Sequence, residues 1–250
     1  MANTENSIEF NFSYYALKLL GKNLYSNSWS AISELVANGL DAQASSVKLF
    51  INMSDKEHST IEILDNGSGM SYDDLANKYV FMGKNKRDDL PDDLKNSVMG
   101  RKGIGKLAAL FLSKKYYIIT KTEQEGESTW FLDSKNADDS LVPTLEKCSI
   151  EETHIQTKNI WNSYNSGTLI KLTDVDLTGI GYYKLEGLKA RLANFFLTDS
   201  INSSIEICVL NNKNDEIHFE PVQKNIAFKN MYLFFSDKDC DLVNETAKTV

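Results

Sequence analysis

Two stretches of helical periodicity precede every strand in this chain, and the strands then follow one another with few helices between them. Phe12, Tyr15, Ala16, Leu19 and Leu20 recur at helical spacing, which predicts an amphipathic helix over Asn11 to Leu20, ended by Gly21. A second helix is expected from Ser28 to about Ala42, with Trp29, Ile32, Leu35, Val36 and Leu40 as its apolar stripe. Val47, Leu49, Ile51 and Met53 then alternate as a strand, and Ile61 and Ile63 begin another beyond the polar connection Asp55 to His58. Tyr116 to Thr120, Thr129 to Leu132, Thr168 to Leu172 and Ser204 to Leu210 read as further strands, and Leu107 to Ser113 and Lys184 to Leu197 as helices. Ser71 and Asp74 have the spacing of a helix start, and Gly83 to Asn96, charged and broken by Pro91, reads as a mobile loop. The regular strand–helix–strand alternation of a doubly wound sheet is missing. The order specifies instead an α+β fold, a two-layer sandwich with helices on one face of a mixed sheet.

Composition narrows the function classes. No apolar run approaches the roughly 20 residues that span a bilayer, and Met1 to Glu9 lack the build of a secretory signal, so a cytoplasmic address without membrane contact is expected. Cys148, Cys208 and Cys240 are odd in number and far apart, and His58, His154 and His218 are equally scattered, which suggests neither a disulfide framework nor a zinc site. A formal net charge of −8 argues against a domain that coats nucleic acid by charge alone.

Four short constellations carry chemistry. Glu34, Asn38 and Asp41 stand four and three residues apart, on one helical face opposite the apolar stripe. Glu34 there can accept a proton from an attacking water, and Asn38 offers a neutral oxygen of the kind magnesium takes. Taken alone, the same face also fits a solvated polar surface. Asp65-Asn-Gly67-Ser-Gly69-Met70 ends a strand, and its glycines permit a tight turn. Asp65 can also accept a hydrogen bond from an adenine amino group, with Gly67 and Gly69 letting backbone approach the base. That arrangement discriminates against guanine, which presents an acceptor at the same position.

Gly100-Arg-Lys102-Gly103-Ile104-Gly105-Lys106 opens a helix, where backbone N–H groups attract phosphate and glycines clear the approach. Its spacing matches neither the Walker pattern nor a dinucleotide fingerprint. Ser166-Gly167-Thr168 leads into an apolar strand, and Thr168 can place its hydroxyl beside Asp65, although an ordinary strand start has the same form.

In this order and context the four constellations resemble the boxes of the GHKL family: gyrase B subunits, heat-shock chaperones, histidine kinases, MutL and MORC ATPases. Glu34 to Ala42 looks like the N-box, Asp65 to Met70 the D-x-G-x-G box, Gly100 to Lys106 the lid box and Gly167-Thr168 the final G-T box. The resemblance spans roughly Asn11 to Leu210. It implies the Bergerat ATP-binding fold, with a mostly antiparallel sheet, and ATP and Mg2+ as ligands. Glu34 would be the general base, Asn38 the magnesium ligand and Asp65 the adenine reader, with Asp41 in the same nucleotide-facing set. Gly67, Gly69, Met70 and Thr168 would line the base pocket, and Gly100, Lys102, Gly103, Ile104, Gly105 and Lys106 would hold phosphates. Residues 83–105 would form a lid, from which Lys84, Lys86 and Arg87 can reach the nucleotide or remain solvated loop charges.

Glu34 and Asp41-Ala42 resemble the hydrolysing branch rather than the kinases, and no phospho-accepting histidine precedes the first helix. Many gyrase and MutL relatives carry an acidic residue where Ala37 stands, so the subfamily stays open. Hydrolysing relatives complete the site with a lysine from a following domain, and no lysine from Lys213 to Lys248 has a recognisable context for that role. The expected organisation is an ATP-binding domain over 1–210, with 211–250 beginning a further segment of a longer protein. Its expected function is an ATP-driven, dimerising switch acting on DNA or a protein client through other domains. The alternative is a nucleotide-sensing interaction module that does not hydrolyse.

Overall fold

A computed structural model describes residues 13–25, 27–55, 58–80, 107–175, 177, 185–196 and 203–223. Helix α1 (Tyr14–Leu24) starts at Ser13, whose hydroxyl accepts from the Ala16 N–H at 3.3 Å. It does not end at Gly21 as the sequence pattern predicts. Gly21 lies inside the helix, and the chain leaves it at Tyr25 in an extended conformation rather than a left-handed one. An interior glycine costs a helix only about 1 kcal/mol. Here the last turn is held from outside, because Tyr25 packs against the core with its ring 5.6 Å from that of Phe111.

Helix α2 (Ser28–Asp41) is capped by Asn27, whose Oδ1 accepts from the Ser30 N–H at 2.9 Å. It buries Ile32, Leu35 and Val36 as expected, and also Ala31, Ser33, Ala37 and Gly39. Strands β1 (Ser46–Asn52) and β2 (Thr60–Asp65) follow. The Ser71–Asp74 pair forms a reciprocal capping box at α3 (Tyr72–Asp74), which continues as a π-turn over Leu75–Tyr79. Helix α4 (Leu107–Leu112), β3 (Lys115–Lys121) and β4 (Ser128–Asp133) come next. After β5 (Glu146–Lys147) and a 3-10 turn at Ile150–Thr153, the chain forms α5 (Lys158–Ser163), β6 (Gly167–Thr173), α6 (Leu185–Phe196), β7 (Ser204–Leu210) and β8 (Glu220–Pro221).

The strands form one sheet in the order β5-β4-β3-β6-β2-β1-β7-β8. Among the described residues only β1 and β7 run parallel; the other neighbours are antiparallel. The α+β expectation therefore holds. Strand alternation sends Leu49, Ile63, Ile118 and Ile207 to one face, where they share the main core with Leu17, Ile32, Val36, Leu107 and Leu192 of the helices.

The opposite face has a smaller cluster that the sequence pattern did not anticipate. Leu64, Ile119 and Leu169 pack there against Trp161 of α5, which is wholly buried. The same cover hides a charge pair: Lys171 Nζ lies 3.6 Å from Glu62 Oε1 and donates to the His154 carbonyl at 2.6 Å. Glu62 also accepts from the Gln156 and Thr157 N–H groups and from the Thr157 hydroxyl at 2.7–3.0 Å. Strand β8 pairs with β7 at the edge of this sheet. Among the described residues no helix is long and apolar enough to cross a membrane.

Candidate nucleotide site

The core-facing parity of β2 ends in a carboxylate. Asp65 lies on the same face as Ile61 and Ile63, at the strand's last position, and is 7% exposed. Strand β6 is inserted between β2 and β3, so Thr168 is the register partner of Asp65 on one side and of Thr120 on the other. The expected proximity of Asp65 and Thr168 is thus a consequence of sheet order. Burial pushes the Asp65 carboxyl up to about 7, opposed by hydrogen bonds from the backbone of Gly67 and Thr168. The Gly67 N–H donates to its Oδ1 at 2.9 Å.

The loop after Asp65 is fastened on every side. Asn66 Oδ1 accepts from the Ser46 N–H, and Asn66 Nδ2 donates to the Ser45 hydroxyl, both at 2.8 Å. The Ser68 N–H donates to the Ala42 carbonyl at 3.1 Å, and the Ser166 hydroxyl to the Gly67 carbonyl at 2.8 Å. Two glycines are required by close approach and by positive φ. A Cβ on Gly69 (φ 69°) would lie 2.0 Å from the Lys121 carbonyl oxygen, and one on Gly167 (φ 142°) 2.0 Å from that of Asp65.

Helix α2 closes the same region from above. A Cβ on Gly39 would stand 3.0 Å from Asp65 Cβ and from Val47, so this glycine, unremarked in the sequence, lets the helix settle directly on the end of β2. Glu34, Asn38 and Asp41 are half-buried on α2, neither in the core nor fully solvated. Burial chiefly raises the Tyr25 phenol pKa, and the charge of Glu34 raises it further.

The described residues hold no group of three or more His, Cys, Asp or Glu arranged for a metal. Asn38, with Glu34 one turn before it and Asp41 one turn after, fits an ion that keeps its waters and takes other ligands from phosphate. Met70 lies at the far end of the Asp65 loop, half-buried against the main core. The expected site residues Lys84, Gly100, Lys102, Gly103, Ile104, Gly105 and Lys106 lie outside the described residues, as do Lys86, Arg87 and the whole expected lid. A cavity of about 70 Å³ bounded by Leu17, Tyr79, Leu107, Tyr116 and Leu132 is apolar and belongs to the core. It is far below the ~300–1,000 Å³ of ligand pockets.

A family model described as "Histidine kinase-, DNA gyrase B-, and HSP90-like ATPase" matches residues 25–168. The chain is 29% identical over 228 residues to a putative type II restriction enzyme, HgiDII, of Herpetosiphon aurantiacus, covering 88% of this chain and 35% of that protein. It is 30% identical over 126 residues to the DNA mismatch repair protein MutL of Thermosipho melanesiensis, covering 50% of this chain and 22% of MutL. It is 28% identical over 165 residues to the chaperone protein HtpG of Borrelia garinii subsp. bavariensis, covering 57% of this chain and 26% of HtpG. The matches thus span at most 35% of the length of these curated relatives.

Proposed function

The chain belongs to the histidine kinase-, DNA gyrase B- and HSP90-like family of ATP-binding domains, and from that premise we propose that it hydrolyses ATP to drive a conformational switch in a longer protein. The observation that carries this reading is the buried Asp65 carboxyl, set against Thr168 and beneath Gly39 at the start of a glycine-bearing loop. A carboxylate held there can accept the adenine amino group, while Gly67, Gly69 and Met70 form the wall against which the base rests. Glu34 orients water and takes its proton for in-line attack on the γ-phosphorus. Asn38 would hold magnesium, which supplies charge neutralisation on the phosphates when bound.

In this account the phosphate-binding segment and lid are residues 100–106 and 83–105, with Lys84 and Lys106 contributing charge. Lid closure on ATP then promotes pairing of two copies, and hydrolysis releases them in the cytoplasm. The client, DNA or protein, engages other parts of the longer protein, and a following domain supplies the lysine for the terminal phosphate.

Glu34→Ala tests the division of labour. The variant is expected to bind ATP as the wild type does and to lose phosphate release in a single-turnover assay. Unchanged turnover in Glu34→Ala would remove Glu34 from the catalytic role.

A further inference from the structure

Among the residues expected to touch nucleotide there is no place for Thr120, yet it joins the two loops that flank Asp65. Thr120 follows Tyr116 and Ile118 on the core-facing parity of β3 and is 0% exposed. Its Oγ1 accepts from the Met70 N–H at 2.7 Å and donates to the Gly167 carbonyl at 3.2 Å. The Met70 carbonyl, at 3.4 Å, is a longer alternative acceptor. One hydroxyl thus spends both halves of its hydrogen-bonding capacity on backbone groups from β2's loop and β6's first residue.

The packing around it leaves little slack. Gly69, just before Met70, presses so closely on β3 that a Cβ there would lie 2.0 Å from the Lys121 carbonyl and 3.0 Å from the Gly167 carbonyl. Gly167 presses in turn on the Asp65 carbonyl. The end of β3, the Asp65 loop and the start of β6 therefore meet at one point, and Thr120 is the polar fastener across it. Valine has nearly the same shape and would suit the apolar pattern of this strand better. The hydroxyl is what valine lacks, and without it the Met70 N–H loses the partner it has here.

We infer that Thr120 is a positioning residue: by tying Met70 to Gly167 it fixes the two walls beside Asp65 and so sets how selectively the pocket accepts adenine over guanine. This rests on the reading of Asp65 as the adenine acceptor.

The test compares wild type, Thr120→Val, Thr120→Ser and Asp65→Asn by calorimetric titration with non-hydrolysable analogues of ATP and GTP, each variant's melting curve being recorded alongside. Thr120→Val is expected to lose about tenfold in ATP affinity and to narrow the ATP-to-GTP ratio, while Thr120→Ser keeps both near wild type. A purely structural role would lower the melting temperature and leave the affinity of folded protein and its ratio unchanged, which would overturn the inference. Thr120→Ser failing as Thr120→Val does would also overturn it, because the methyl group would then be what matters. Should Thr120→Val not fold, Thr120→Ala also lacks the hydroxyl: a narrowed ratio supports the tether and a wild-type ratio refutes it. Wild-type affinity in Thr120→Val beside lost binding in Asp65→Asn overturns the tether alone. No binding by the wild type, or unchanged binding by Asp65→Asn, overturns the reading of the site and this inference with it.

Discussion

Lowering the pH from 8 to 6 is expected to weaken adenosine binding about tenfold, through Asp65 alone. Burial pushes this carboxyl up to about 7, with the Gly67 and Thr168 backbone hydrogen bonds acting in the opposite sense. At such a pKa about one molecule in eleven is ionised at pH 6 and about ten in eleven at pH 8. If the ionised form accepts the adenine amino group, apparent affinity scales with the ionised fraction, which gives the factor of about ten. The stability of the free chain moves oppositely. The folded pKa lies above the ordinary value of 3.8, so the folded chain holds the extra proton between 3.8 and about 7, and stability falls as pH rises through that window. At about 1.4 kcal/mol per pH unit the loss is bounded at roughly 4 kcal/mol. The assay is an NMR-monitored titration with adenosine at pH 6, 7 and 8. Adenosine avoids the terminal phosphate, which itself titrates near ~6. Affinity that is flat across this range, or tighter in acid, would refute the reasoning; the latter would make the protonated carboxyl the binding form.

Two further substitutions probe the frame around the site. Gly167→Ala puts a Cβ 2.0 Å from the Asp65 carbonyl at a φ of 142°. It should destabilise the chain by at least ~1–3 kcal/mol in thermal melting and abolish nucleotide binding in whatever fraction folds. Lys171→Met leaves Glu62 buried with its three hydrogen bonds from Gln156 and Thr157 but without its countercharge. Denaturant unfolding should show a loss near the lower end of the ~3–5 kcal/mol seen when one partner of a buried pair is removed; a loss below the scatter of the measurement would mean that the hydrogen bonds alone suffice.

Long elements with a clear period were legible in the sequence. Helix α2 and strands β1, β2, β3 and β6 stand within a residue or so of their expected bounds, because their alternation reflects the core they face. Helix α5 was not, since six residues containing one buried side chain, Trp161, are too short to show a period. Strands β5 and β8 are two residues each and carry no pattern at all. Nothing in the sequence marks Glu62 and Lys171 as a buried pair; α5 and the loop before it cover that face and enclose them. Asp65, Gly67, Gly69 and Thr168 were legible as types in context, but the register that sets Asp65 against Thr168 depends on β6 entering the sheet beside β2. That is long-range pairing, which local pattern does not encode. Thr120 escaped for a related reason: one threonine ending an apolar strand looks like an edge residue until the chain returns on both sides of it.

The central claim is that this chain binds ATP through Asp65, and calorimetric titration with a non-hydrolysable ATP analogue in the presence of magnesium tests it most directly. The wild type is expected to bind with one site per chain and Asp65→Asn to show no binding while still melting cooperatively. Equal affinity in the two proteins would contradict the account.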